Sequence, residues 1–331
     1  MSILTTTRRK LNEVLEIYWL LVRLMVPIII AAEILSRLGL IELLAPGFAP
    51  VMKIVGLPPE LGLAWLSGML VGIWGAVPLV FVLVPLSTLT TADITVFSAL
   101  LLFAHGLPVE QKIIQKAGPG MVVTTLLRVA GGLLFAFLLH RFCAATGWLS
   151  TPAAPSWIPS NAAPDWTSFF LGLLKTLIAM FVILLTLSCV MELLDRIGLM
   201  ALMMRALSPV LRLAGIKGEA ERFTAVGLFL GISYGGGLLI REARSGNVSP
   251  RQVFISCAFM GFAHSIIEDT MIVVGLGADL SAVLIGRVIF AVVATGLLAA
   301  MLKLTSDRLF YGWMFHASDA HQGGKPAGAL K

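Results

Sequence analysis

Charge is scarce in this sequence. Asp, Glu, Lys and Arg make up only 13% of its 331 residues, against 58% hydrophobic, and mean hydropathy is +0.95. Soluble domains carry about 25% charged residues, so a chain this apolar reads as an integral membrane protein. Polar stretches long enough for a soluble domain are missing too, because apolar runs of about 20 residues recur along nearly the whole length. That counts against a fused nucleotide-binding domain. Cysteine is limited to Cys143, Cys189 and Cys257, each in an apolar run and without CxxC spacing, which indicates neither a disulfide frame nor a zinc knuckle. HExxH is absent and no spacing singles out a nucleophile, so the chain is not read as an enzyme. The net charge of +6 lies in short loops beside apolar segments, as membrane orientation requires, and not in a patch for nucleic acid. No small-residue cleavage site follows Arg8, Arg9 and Lys10, and the first apolar segment is expected to persist as a helix.

What the sequence does hold is a repeat. Phe-Ala-His opens both the stretch at residues 103–120 and the one at 262–279, and His105 and His264 stand 159 positions apart. The same offset links Glu33 to Glu192, Arg37 to Arg196, Pro50 to Pro209, Gly72 to Gly231, Gly118 to Gly277 and Arg128 to Arg287, with no gap. Matches among Glu, Arg, His, Pro and Gly are informative in so greasy a chain, and they indicate an internal duplication.

Each copy reads in one order. A span (residues 15–40 and 167–197) is followed by a Pro-interrupted amphipathic stretch suited to the interface. A Gly-rich hairpin comes next, with tips expected at residues 72–78 and 233–237. A helix broken near His105 or His264 and a final span complete the copy. Three crossings per copy make the two copies inverted, and Lys and Arg then gather on the inner side in both halves. The expected fold is therefore an all-α polytopic membrane protein with two inverted-topology repeats, each a span, interfacial helix, re-entrant hairpin, broken helix and span. The first repeat covers residues 1–147 and the second 166–308. An external Pro-rich linker, 148–165, joins them, and a disordered cytoplasmic tail follows from 309 to 331. Glu33 with Arg37, and Glu192 with Arg196, read as helix-end ion pairs.

This order, together with SYGGGLLIREARSG and FAHSIIEDT, resembles the Gate-domain, or nucleoside-recognition, membrane protein superfamily over roughly residues 15–305. Concentrative nucleoside transporters, the membrane part of ferrous iron transport protein B and spore maturation proteins A and B are among its members. The resemblance implies that hairpin tips and unwound helices meet at mid-membrane around a solute. The substrate-binding candidates are then His105, Glu110, Ser233, Tyr234, Gly235, Gly236, His264, Ser265, Glu268 and Asp269. Ionisable groups in a bilayer usually face a cavity or a partner, which fits the histidines and carboxylates. Arg128 and Arg287, near midplane of the last spans, are their charge partners, or forks for an anionic solute. Glu268, four residues beyond His264, would share its face on a resumed helix.

The function expected is a secondary transporter or permease of a small polar solute, nucleoside-like as the resemblance's first suggestion. The alternatives are a non-transporting scaffold of the spore-maturation kind and a divalent-metal permease. No cofactor is expected. Na+ or H+ coupling stays open, and two His with two or three carboxylates could hold a divalent ion. The partners expected are the lipid bilayer and the solute, with homo-oligomers left open and nucleic acid excluded. The expected location is a bacterial cytoplasmic (inner) membrane, multi-pass, with both termini cytoplasmic.

Overall fold

The computed structural model describes residues 40–156 and 165–316, together with scattered positions between 15 and 38. The described residues are all-α. The described positions from 15 to 37 are helical, and Arg37 Nε donates to Glu33 Oε1 at 2.7 Å, the ion pair expected from the sequence. The equivalent side chain of Glu192 lies outside the described residues.

The first half continues with α1 (Leu40–Leu44), a 3-10 turn at Ala45–Phe48 and α2 (Ala49–Ile54). Then come α3 (Leu61–Val71), α4 (Ile73–Leu83), α5 (Thr91–Phe103), α6 (Leu107–Ala117) and α7 (Met121–Thr146). The second half has α8 (Trp166–Arg196), α9 (Leu199–Leu213), α10 (Glu219–Arg244), α11 (Pro250–Phe262) and α12 (Glu268–Gly275). It ends with a π-helical turn at Ser281–Gly286 running into α13 (Arg287–Leu304), then α14 (Asp307–Leu309) and a second π turn at Phe310–Met314. Four helical stretches among the described residues are long and apolar enough to cross a membrane: Thr91–Ala117, which contains the break between α5 and α6, Met121–Thr146, Trp166–Ile183 and Ser281–Leu304. The first expected span falls largely on positions outside the described residues, and the span expected at residues 250–277 is divided between α11 and α12.

Helix starts repeat with the sequence. Thr90 caps α5, accepting from the Asp93 amide at 3.1 Å while the Asp93 carboxylate accepts from the Thr90 amide at 2.8 Å. Its counterpart 159 positions on, Ser249, caps α11 ahead of Pro250. The hairpins behave differently from expectation. In the first copy the chain reverses at Gly72, since Ser67 Oγ donates to the Gly75 carbonyl at 2.8 Å and a Cβ on Gly68 would touch Ala76. Residues eight apart on a straight helix would be about 12 Å apart. In the second copy helical geometry fails at Gly231, whereas Gly235, Gly236 and Gly237 are helical. Residues 233–237, where the tip was expected, are thus helical, and the departure from helical geometry lies at Gly231. Gly236 serves close packing instead, since a Cβ there would lie 2.8 Å from Ile113 Cδ1 on α6.

The expectation of a disordered tail from residue 309 is also corrected for residues 309–316. Phe310 and Phe315 are fully buried, stacked 5.7 Å apart, and the Gly120 amide donates to the Met314 carbonyl at 2.7 Å. Aromatic burial and backbone pairing hold this segment against the α6–α7 turn. Residues 317–331 lie outside the described residues. The described part of the linker is docked as well: the Ala153 amide donates to Leu89 O, and the Ser156 amide to Gly275 O at 3.0 Å.

Candidate functional site

The site arises where two helices stop in the interior. In the first copy α5 ends at Phe103, Ala104 leaves helical geometry (φ −132°, ψ 71°), and Gly106 turns left-handed before Leu107 and Pro108 open α6. In the second copy α11 ends at Phe262 and Ala263 takes nearly the same angles (φ −143°, ψ 71°). Ser265 there stands at φ +45°, where the first copy has glycine. The sequence FAHS contains neither Gly nor Pro, so this break follows only from the repeat.

Each break leaves backbone carbonyls without helical partners, and an arginine from the final span takes them. Arg128 Nε donates to Phe103 O at 2.7 Å and its Nη2 to His105 O at 3.1 Å. Arg287 Nε donates to Phe262 O at 2.8 Å and its Nη2 to His264 O at 3.1 Å. Both guanidinium groups are buried. Arg128 Nη1 also pairs with Glu110 Oε2 at 2.6 Å, as the charge-partner expectation held. The hydrogen bonds of Arg287 go to carbonyls, including Leu102 O at 3.1 Å, and Nη1 has no hydrogen-bond partner. Carbonyl capping by these arginines was not anticipated from sequence. The signal available was their common distance, 25 residues, from Phe103 and Phe262.

The breaks bring the two histidines together. His105 Nε2 and His264 Nε2 are 3.3 Å apart, with ring centroids 4.9 Å apart. Each Nδ1 faces a carbonyl one turn back, Leu101 O at 2.9 Å and Met260 O at 2.8 Å. Carboxylates from both copies close the cluster. Glu110 Oε2 lies 3.3 Å from His264 Nε2, and Asp269 Oδ2 lies 3.4 Å from His105 Nε2 without an aligned hydrogen bond. Ser233 Oγ on α10 donates to Glu110 Oε1 at 3.2 Å. Ser265 is buried against Gly231, where a Cβ would overlap its hydroxyl.

Other candidates stand apart. Glu268 makes none of these contacts, because the unwound residues 263–267 shift the register and bring Asp269 to the histidines in its place. Gly235 and Gly236 lie on the helical part of α10, and the side chain of Tyr234 lies outside the described residues. Sequence reasoning missed Gln111 and Thr270, which the 159-residue offset also equates. Gln111 Nε2 and Thr270 Oγ1 are buried without hydrogen-bond partners, and their different chemistry hid the equivalence. Thr270 lines a mostly apolar cleft of about 440 Å³ with Leu228, Ile266 and Ile267, next to the second break. A volume of that order suits a small ligand. On the other flank Phe103, Phe135, Phe262 and Phe290 form a ring cluster with centroids 5.3 to 5.9 Å apart, an apolar plug beside the polar centre.

Chemically, the centre offers two imidazoles, two carboxylates and two guanidinium groups in a buried interior. Such groups are costly in a membrane unless they pair or receive a polar guest. The paired atoms account for most of them, and Asp269 Oδ2 and Arg287 Nη1 are left over.

The chain is 24% identical over 284 residues, 84% of its length, to a Bacillus subtilis (strain 168) protein described as the uncharacterized membrane protein YvoD, and the match covers 88% of that protein. No solved structure matches. Residues 177–280 match the Gate family model, described as nucleoside recognition, so the second repeat, with His264, Ser265, Glu268 and Asp269, carries the Gate signature in this membrane protein.

Proposed function

We propose that the protein is a secondary transporter of a small polar solute, bound between the two helix breaks. The observation that carries this reading is the contact of His105 with His264, two equivalent residues of two repeats meeting inside a membrane protein beside buried polar atoms that lack partners. A scaffold has no need to hold such a centre in its interior. Nucleoside-like solutes remain the first class to test, on the family description alone.

Inverted repeats with re-entrant hairpins are part of this proposal, and the contacts at the two ends of the bundle support them. α5 starts beside the linker, where the Thr91 amide donates to Thr151 O, and α6 ends beside the tail and Arg244, whose Nε donates to Lys116 O. α11 starts beside the tail, where Arg251 meets Asp307 at 2.8 Å, and α12 ends beside the linker at Gly275. The two broken helices thus run in opposite directions. A bacterial inner membrane with the tail on the cytoplasmic side follows from the Lys and Arg distribution. Ser156 and Ser245 are both exposed, one at each end. Cysteines placed singly at these positions in a Cys-free background should react with an impermeant maleimide from outside and inside respectively. Labelling of both from one face would refute the inverted arrangement.

Solute binding gives the second test. A thermal-shift screen of the purified protein against nucleosides, bases and amino acids identifies a ligand, whose affinity is then measured by calorimetry. His264→Ala and Asp269→Asn should each weaken it by roughly 5- to 150-fold, equivalent to about 1–3 kcal/mol for a lost buried hydrogen bond. His105→Ala should be milder, because Gly106 and Pro108 keep its break in shape. Wild-type affinity in all three variants would return the histidines to packing.

A further inference from the structure

The imidazole pair brings like hydrogen-bonding atoms face to face. A carbonyl oxygen only accepts hydrogen bonds, so the short contacts to Leu101 O and Met260 O put the hydrogen of each neutral ring on Nδ1. Each Nε2 then presents a lone pair. Those lone pairs face each other at 3.3 Å, and Asp269 Oδ2, another acceptor, stands 3.4 Å from His105 Nε2. Acceptor atoms on two sides of His105 Nε2, with all three within 4.8 Å of one another, call for positive charge among them. Glu110 is matched by Arg128 and lies 3.3 Å from His264 Nε2, but no lysine or arginine among the described residues makes a direct ion pair with Asp269.

We infer that His105 Nε2, His264 Nε2 and Asp269 Oδ2 form a binding site for a divalent transition-metal cation of the zinc class. Their ligand atoms all lie within 4.8 Å of one another, and all three residues are more than nine-tenths buried. Two nitrogens held about 2.0–2.1 Å from a tetrahedral ion are roughly 3.3–3.4 Å apart, which is the spacing seen. The outer contacts fit as well. Metal-bound imidazoles ordinarily donate their other N–H to a carbonyl or carboxylate, which fixes ring orientation, and both histidines do so here. Two nitrogens and one carboxylate leave a fourth position open. Because His105 comes from one repeat and the other two ligands from the second, a bound ion would tie the two halves together at their breaks. The inference holds whether or not the protein transports a solute, since it depends on the cluster alone.

The test uses the full chain purified in detergent, stripped with a chelator and titrated with Zn2+, and with Co2+ for its visible spectrum. Wild-type protein should retain one ion per chain after desalting, and the Co2+ form should show the intense bands of tetrahedral nitrogen and oxygen ligation. Asp269→Asn, which keeps size and shape, should lower affinity by at least the roughly 10- to 100-fold that loss of an outer contact brings. His264→Gln should abolish retention, with circular dichroism and elution volume recorded so that a misfolded variant is replaced by His105→Gln. Stripped wild-type protein that takes up no Zn2+ would mean that the two rings share a proton only, and the inference fails. It fails equally if the variants bind as wild type. Solute uptake is measured separately, so loss of one result leaves the other standing.

Discussion

Arg128→Leu should destabilise the protein by about 3–5 kcal/mol, the usual effect of removing one partner from a buried ion pair. Arg128 is 2% exposed and Glu110 4%, and their 2.6 Å contact is the tightest ion pair in the interior of the site. Taking away the guanidinium leaves a buried carboxylate without its partner and frees the carbonyls of Phe103 and His105 at the same time. Against a total stability of about 5–15 kcal/mol, such a loss should appear as poor accumulation or as a large fall in melting temperature in detergent. Arg128→Lys should recover little, since one ammonium cannot reach three acceptors laid out for a planar fork. Adding Glu110→Gln to Arg128→Leu should restore part of the stability, because the orphaned charge is then gone. The matching change Arg287→Leu should be milder, as it strands carbonyls but no paired carboxylate. Equal losses at Arg128 and Arg287 would show that carbonyl capping, and not the ion pair, dominates.

How much of this was legible in the sequence depended on whether the duplicated residues were also chemically alike. His105 and His264, Arg128 and Arg287, and Thr90 and Ser249 keep their type or their capping chemistry across 159 positions, and each pair has matching roles in the structure. Gln111 and Thr270 changed type and escaped notice. The breaks were half legible: Gly106 and Pro108 announce the first, while the second had to be inferred from its twin, because a left-handed serine leaves no mark in composition. Glycine misled most. The run Gly235–Gly237 looked like a turn but packs inside a helix, since glycine serves close approach as readily as unusual torsion angles. The position that does need those angles, Gly231, is among the glycines that both copies keep, whereas Gly235, Gly236 and Gly237 have no glycine counterpart. The arginines read as charge partners from sequence, but their hydrogen bonds to the break carbonyls were not legible, because backbone carbonyls exposed by an unwound helix do not appear in a sequence.

Gly231→Ala should be more damaging than Gly72→Ala, although the two glycines are equivalent in the repeat. Both occupy torsion angles that essentially only glycine adopts, φ 78° and ψ 163° for Gly231, φ 120° and ψ 178° for Gly72. A side chain in that region costs about 1–3 kcal/mol in either place. Their surroundings differ. Nothing lies within 4 Å of a Cβ added at Gly72, while one added at Gly231 would overlap the hydroxyl of Ser265. Overpacking of that kind adds about 1–3 kcal/mol and pushes directly on the second helix break, where Ser265 already holds a left-handed conformation. Gly231→Ala is therefore expected to lower stability and disturb His264, the residue before Ser265, so solute or metal affinity should fall with it. Ser265→Gly offers a clean control. It removes the clashing hydroxyl and gives the second break the residue type of the first, where Gly106 sits, so alone it should be neutral or slightly stabilising. Combined with Gly231→Ala it should recover the overpacking share and leave the backbone share, bringing the double variant to the level of Gly72→Ala. Melting temperatures of the four proteins in the same detergent measure this coupling. Strict additivity of Gly231→Ala and Ser265→Gly would mean that the α10 bend and the second helix break are energetically independent, contrary to their contact at Ser265.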